Sequence, residues 1–207
     1  MAKFPDTLSL PETQQGGKRG GVVVSVMALL ALIGSATMQL VLTEIPKEES
    51  GRKVAVAVSP QAGTATITNI SGKQFLRVYL DMIGVATACD GLTGEGIKVG
   101  KSFTEQQCAQ MLVDRLTADG AHIMACTSGL ALSIPRRDNV RYAALSLGHH
   151  VGWPTYCAST MRRRINAGQI RGACDALTWF NKAGGRVMPG IVARRKREQA
   201  ICLRDAA

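Results

Sequence analysis

The sequence predicts an α+β protein in which a small β-hairpin lobe precedes a larger helical lobe, behind an N-terminal apolar helix. Three observations predict it. Gly20 to Thr43 carry no charge. The stretches 54–58, 64–68 and 79–93 alternate at period two or turn at glycines. From residue 104 onward apolar residues recur at helical spacing. A chain of 207 residues, 46% of them hydrophobic, is long enough for one sizeable core and is not disordered throughout.

Residues 1–19 are polar and end in Lys18-Arg19. The uncharged run that follows, 20–43, is long enough to cross a bilayer as one helix, which takes about 20 residues. The basic residues before it orient the N-terminus toward the cytoplasm and the rest of the chain outward. Ser25, Gly34, Ser35, Thr37 and Gln39 dilute this span, so it reads as a weak anchor able to leave the membrane. A cleaved signal peptide and a buried soluble helix are the rival readings. The length of the run and the lack of an Ala-x-Ala site count against the first, and the lack of a polar face against the second.

From Glu44 to Ser71 the composition changes to a charged patch and then to Val54-Ala55-Val56-Ala57-Val58 and Thr64-Ala65-Thr66-Ile67-Thr68, short strands or an extended linker rather than helix. Tyr79 to Thr93 reads as strand, turn, strand, with Gly84 and Gly91 free to take positive φ. Thr104-Glu105-Gln106-Gln107 has the form of a capping box opening a helix. Further helices are expected over 138–149, 159–166, 170–180 and 191–202.

A net charge of +10 points to an anionic partner: nucleic acid, a membrane surface or an acidic cell wall. With 4% aromatic residues there is little surface on which unpaired bases could stack, so nucleic acid is set aside. The six cysteines, at 89, 108, 126, 157, 174 and 202, show no Cys-x-x-Cys pair and no metal-type spacing to a histidine. An even count downstream of an export segment fits disulfides, at least two, with the pairing left open. No cofactor and no metal are expected.

The chemistry-bearing run is Tyr79-Leu80-Asp81-Met82-Ile83-Gly84-Val85-Ala86-Thr87-Ala88-Cys89-Asp90-Gly91-Leu92-Thr93. It resembles the catalytic hairpin of phage-type lysozymes, the endolysins of glycoside hydrolase family 24. The resemblance continues through Asn166-Ala167-Gly168-Gln169-Ile170, Trp179-Phe180-Asn181-Lys182-Ala183-Gly184-Gly185-Arg186 and Pro189-Gly190-Ile191-Val192-Ala193-Arg194-Arg195-Lys196-Arg197-Glu198. It implies a lysozyme-like domain over 72–207, a linker over 44–71, and a signal-arrest-release anchor over 20–43 behind a cytoplasmic 1–19. It also implies Asp81 and Thr87 as catalytic residues, peptidoglycan as substrate, the host inner membrane and then the periplasm as location, and a monomer once released.

Glycoside hydrolysis needs two carboxyl groups. In the family a glutamate precedes the aspartate by nine positions, but here that position is Gly72, and Ser71 is no substitute. The general acid is therefore expected to be missing. Glu95 is the nearest glutamate after Asp81 and the candidate replacement, while Glu44, Glu48 and Glu49 lie more than thirty residues before Asp81 and reach it only by folding back. His149-His150-Val151-Gly152 falls where the family tends to carry Asn-Val-Gly, so His150 is either a cleft residue or a neutral surface histidine. Two functions follow: a muramidase that lyses the host, or a catalytically impaired relative that binds peptidoglycan as a structural or regulatory protein. A membrane-active basic peptide is a weaker third.

Overall fold

The computed structural model describes residues 20–81 and 84–206. The basic stretch 1–19 lies outside them. The apolar run is not one helix here. Strand β1 (Val22–Ser25) leads into α1 (Met27–Ile33), and α1 meets α2 (Ser35–Ser50) at Gly34 with a bend of 112°. Gly34 takes a φ of 78°, which glycine adopts without steric cost. No single helix among the described residues is long and apolar enough to cross a membrane; the bent pair of α1 and α2 meets that requirement together, by length and composition only.

The apolar residues of this run instead enter the core, where Leu29, Ile33, Met38, Val41, Leu42 and Ile45 are all fully buried. Two of the polar residues that weaken it as a membrane span find side-chain partners there. Thr37 Oγ1 donates to Asp138 Oδ1 at 2.9 Å, and Gln39 Nε2 to the Val56 carbonyl at 2.8 Å. Ser25 exchanges two bonds with the Gln110 side-chain amide, at 3.0 and 3.2 Å, as a neighbouring strand would, and Gln106 Nε2 donates to the Val23 carbonyl.

Residues 44–71, expected as a linker, are the end of α2 and a β-hairpin. The helix runs on because Ile45 and Pro46 are buried beside Val41 and Leu42. It stops at Gly51, a left-handed cap with φ 72° whose N–H bonds the Lys47 carbonyl. The hairpin, β2 (Lys53–Ser59) and β3 (Thr64–Ser71), falls where the period-two pattern predicts strands, and its strands are antiparallel. β1 pairs with the other edge of β3, Val22 opposite Ile67 and Ser25 opposite Thr64, to give the order β1-β3-β2.

A second hairpin, β4 (Phe75–Leu80) and β5 (Ala86–Cys89), places Tyr79 opposite Thr87. The helical lobe follows: α3 (Glu105–Cys126), α4 (Asp138–Val151), α5 (Trp153–Cys157), α6 (Thr160–Asn166), α7 (Ile170–Ala176) and α8 (Pro189–Cys202), with the short strands β6 (Lys182–Ala183) and β7 (Arg186–Val187) before α8. The capping box opens α3 as expected, Gln107 N–H donating to Thr104 Oγ1 and Thr104 N–H to Gln107 Oε1. α4 is the central helix, buried from Val140 to Gly148. Buried Arg194 and Arg195 of α8 pair with buried Glu198, which accepts from Ser146 of α4 at 2.7 Å.

All six cysteines pair, as Cys89–Cys108, Cys126–Cys157 and Cys174–Cys202, joining the β5 end to α3, α3 to α5, and α7 to α8. The bridges close loops of 19, 31 and 28 residues, each worth about 3 kcal/mol if it acts by restricting the unfolded chain. Thiol titration of the oxidised native protein is expected to find no free cysteine, and reductant to lower the melting temperature. Two or more reactive thiols without reductant would contradict this pairing.

Candidate functional site

Gly51 ends α2 and Gly72 returns the chain to the domain, and the two lie side by side. A Cβ added at Gly72 would stand 2.8 Å from Arg52 Cα and 3.0 Å from the Gly51 carbonyl oxygen. The β2–β3 hairpin thus loops out between two points in contact. Counting nine positions back from Asp81 therefore ends at the foot of this hairpin rather than at the helix before it. With the hairpin set aside, the residues that come before Gly72 are those that end α2. No side chain at position 72 has room to reach the cleft.

What faces the cleft from α2 is Glu49, the residue before its last. Its Oε1 pairs with Arg194 Nη1 at 2.7 Å, and its side chain remains 19% exposed. Its Oε2 faces Gly91: a Cβ there would lie 3.2 Å from that oxygen. The neighbouring Glu48 is turned away into a two-pronged pair with Arg197, at 2.7 and 2.5 Å. Ion pairs on both acidic residues fix the last turn of α2 against α8.

Glu49, Gly91, Thr93, Arg115, His149 and His150 line a cleft of about 270 Å³. On the far side of Glu49 and His150 it continues into a recess of about 440 Å³ walled by Met188, Ile191, Arg194 and Arg197. Glu49 therefore stands between a polar cleft and a more apolar recess.

Asp81 follows β4 and closes the turn to β5. Its N–H donates to the Val85 carbonyl, and its Oδ1 accepts from the Val85 N–H at 2.8 Å. Partial burial, then the charges of Asp81 and Glu49, push the Tyr79 hydroxyl above its ordinary pKa, so both carboxylates bear on the same phenol. Thr87 is buried opposite Tyr79, its hydroxyl donating to the Val85 carbonyl at 3.0 Å. Glu95 is exposed and borders an adjoining recess of about 170 Å³ with Ile97, Met111 and Asp114, which shares Leu92, Thr93 and Arg115 with the cleft. The charges of Glu49 and Asp81 thus both reach Tyr79, Asp81 and Thr87 lie beyond the residues that line the cleft, and Glu95 borders the recess beside it.

Both histidines line the cleft. His149 Nδ1 and Asp119 Oδ2 are 3.2 Å apart. Burial alone would raise the pKa of Asp119, but hydrogen bonds from His149 and Arg115 outweigh it and hold the carboxyl below its usual range. His150 has an open outer edge, yet crowding of its ring, then the charges of Arg194 and Arg195, push it down to about 4. It is neutral at neutral pH. Among the described residues no group of three or more His, Cys, Asp or Glu is arranged to hold a metal ion.

Glu49, which the sequence reading leaves as reaching Asp81 only by folding back, had a legible signal in the sequence. Two period-two strands bounded by glycines and turn formers mark a hairpin that can be set aside, and without it Glu49-Ser50 stands directly before Gly72.

Residues 72–198 match the phage lysozyme family. The SAR-endolysin of Enterobacteria phage P21 is 34% identical over 153 residues, covering 74% of this chain and 89% of the relative. The SAR-endolysin of Pseudomonas phage phiKMV is 30% identical over 163 residues, covering 72% and 94%. Among solved structures, the endolysin from Escherichia coli O157:H7 phage FAHEc1 superposes with a TM-score of 0.60 at 23% identity, over 80% of this chain and 91% of that one. The active form of the P1 phage endolysin Lyz also gives 0.60, at 18% identity, over 91% and 98%. These structures share the fold, and the sequence matches carry the assignment: the chain belongs to the phage lysozyme family and is an endolysin of that family.

Proposed function

We propose that this endolysin is a muramidase cutting the β-1,4 bond between N-acetylmuramic acid and N-acetylglucosamine in peptidoglycan, with Glu49 as general acid, Asp81 as the second carboxylate and Thr87 beside it. The observation that carries this reading is Glu49 in mid-groove sharing the surroundings of Tyr79 with Asp81. Glu49 passes its proton to the glycosidic oxygen as the C1–O bond breaks, and Asp81 stabilises the positive charge developing on the sugar ring. Water then adds at C1 and loses its proton to a carboxylate. The Thr87 hydroxyl sits on the strand facing Tyr79, within the same hairpin as Asp81, and helps hold that water. A catalytically impaired wall-binding relative is disfavoured, since a glutamate is available in the groove.

General acid assistance is typically worth about 10²–10⁴ in rate. Glu49→Gln is expected to lower wall lysis by that factor and Asp81→Ala to lower it strongly, while Glu95→Gln stays within about twofold of wild type. Turbidity assays on peptidoglycan decide it, and full activity in Glu49→Gln overturns the assignment.

We further propose that 20–43 first spans the host inner membrane with 1–19 in the cytoplasm, and that it then leaves the bilayer uncleaved to fold as β1, α1 and the start of α2, giving a periplasmic monomer. Support comes from Thr37 and Gln39, whose side chains are met by partners inside the domain, and from the Ser25 backbone, which pairs with the Gln110 side chain. Because α2 carries Glu49, the membrane-held form lacks the docked acid. Fractionation is expected to find full-length protein in both membrane and periplasm, with only the periplasmic pool lytic. A shortened N-terminus in the active pool would instead indicate signal-peptide cleavage.

A further inference from the structure

Asp90 is completely buried and lies next to Gly91, the residue that faces the Glu49 carboxylate. Its own carboxylate is met by three side chains. Arg52 donates from Nε to Oδ1 at 3.0 Å and from Nη2 to Oδ2 at 2.5 Å, Ser50 Oγ donates to Oδ1 at 2.7 Å, and Gln74 Nε2 donates to Oδ2 at 2.9 Å. These partners come from the last residue of α2, the foot of the inserted hairpin and the approach to β4. Asp90 therefore ties together the chain segments on both sides of the cleft. One residue before it, Cys89 is bound to Cys108 of α3, and two residues before that is Thr87.

We propose that Asp90 is a positioning residue for the hydrolysis, resting on the reading of Glu49 as the acid: it sets where the last turn of α2 places Glu49 relative to the Asp81–Thr87 hairpin. The contact runs through side chains of adjacent residues. Ser50 adjoins Glu49 and Gly91 adjoins Asp90, so the pair 49–50 faces the pair 90–91, with one hydrogen bond and one close approach joining them.

Stability alone does not account for an ion pair in this place. Desolvating two charges is costly, and apolar residues of equal volume often hold a core as well or better. What a carboxylate with four directed bonds supplies is one fixed arrangement of three segments. Catalysis is sensitive to that: a misplacement of about 1 Å can cost around 10²-fold in rate.

Asp90→Asn keeps the shape but turns an amide N–H₂ toward donors. It is expected to lower kcat on soluble peptidoglycan fragments about ten- to a hundredfold, with KM within about twofold of wild type. Ser50→Ala leaves the Arg52 pair intact and is expected to lower kcat about three- to tenfold with little change in melting temperature. In single-turnover assays at high enzyme concentration, adding Ser50→Ala to Glu49→Gln should cost nothing further, because the positioned group is already gone. A purely structural role predicts the reverse: wild-type kcat per folded molecule in Ser50→Ala, or equal losses with and without Glu49. Either result overturns the proposal, and if Asp90→Asn does not fold, Ser50→Ala alone decides it. Full activity in Glu49→Gln would instead sink the reading on which the proposal rests.

Discussion

Everything in the groove depends on where the apolar residues between Val24 and Ile45 are buried. Each large aliphatic side chain removed from water contributes about 1.5–3 kcal/mol, and a bilayer and a protein core supply that term almost equally. The side chains that discriminate are the polar ones. A hydroxyl or amide in hydrocarbon lacks partners, whereas Thr37, Gln39 and the Ser25 backbone each find one in the domain. The weak hydropathy of the segment is thus the reverse side of its fitness as core. Gly34 lets the chain turn where a spanning helix would continue.

The helical lobe was legible because its signals are local. The box at Thr104 and the periodic faces of α4 and α8 specify helices without help from distant residues. The strands at 54–58 and 64–68 were legible for the same reason, as was the need for disulfides, since six cysteines follow an export-like run. Their pairing was not, because the Cα–Cα distances of 5.4 to 5.9 Å are set by helix packing that no local pattern encodes.

Asp81 and Thr87 were singled out through their separation along one hairpin, and a hairpin preserves sequence spacing as spatial register. Glu49 was passed over because its place depends on a tertiary fact, the contact of Gly51 with Gly72. Glu95 drew notice only by proximity in sequence, and it borders a recess with Met111 and Asp114 that adjoins the cleft at Thr93 and Arg115. His150 could be placed on the cleft only once α8 brought Arg194 and Arg195 against it.

The contact between Gly51 and Gly72 makes the β2–β3 hairpin a detour with a closed neck. Length added or removed beyond that neck leaves the ends where they are, so the sequence distance between the two carboxylates is free to change while their distance in space is held. The hairpin also offers its β3 edge to residues 22–25. A hairpin whose length leaves the geometry of the groove unchanged thereby has a second use, as the template on which residues 22–25 are laid down.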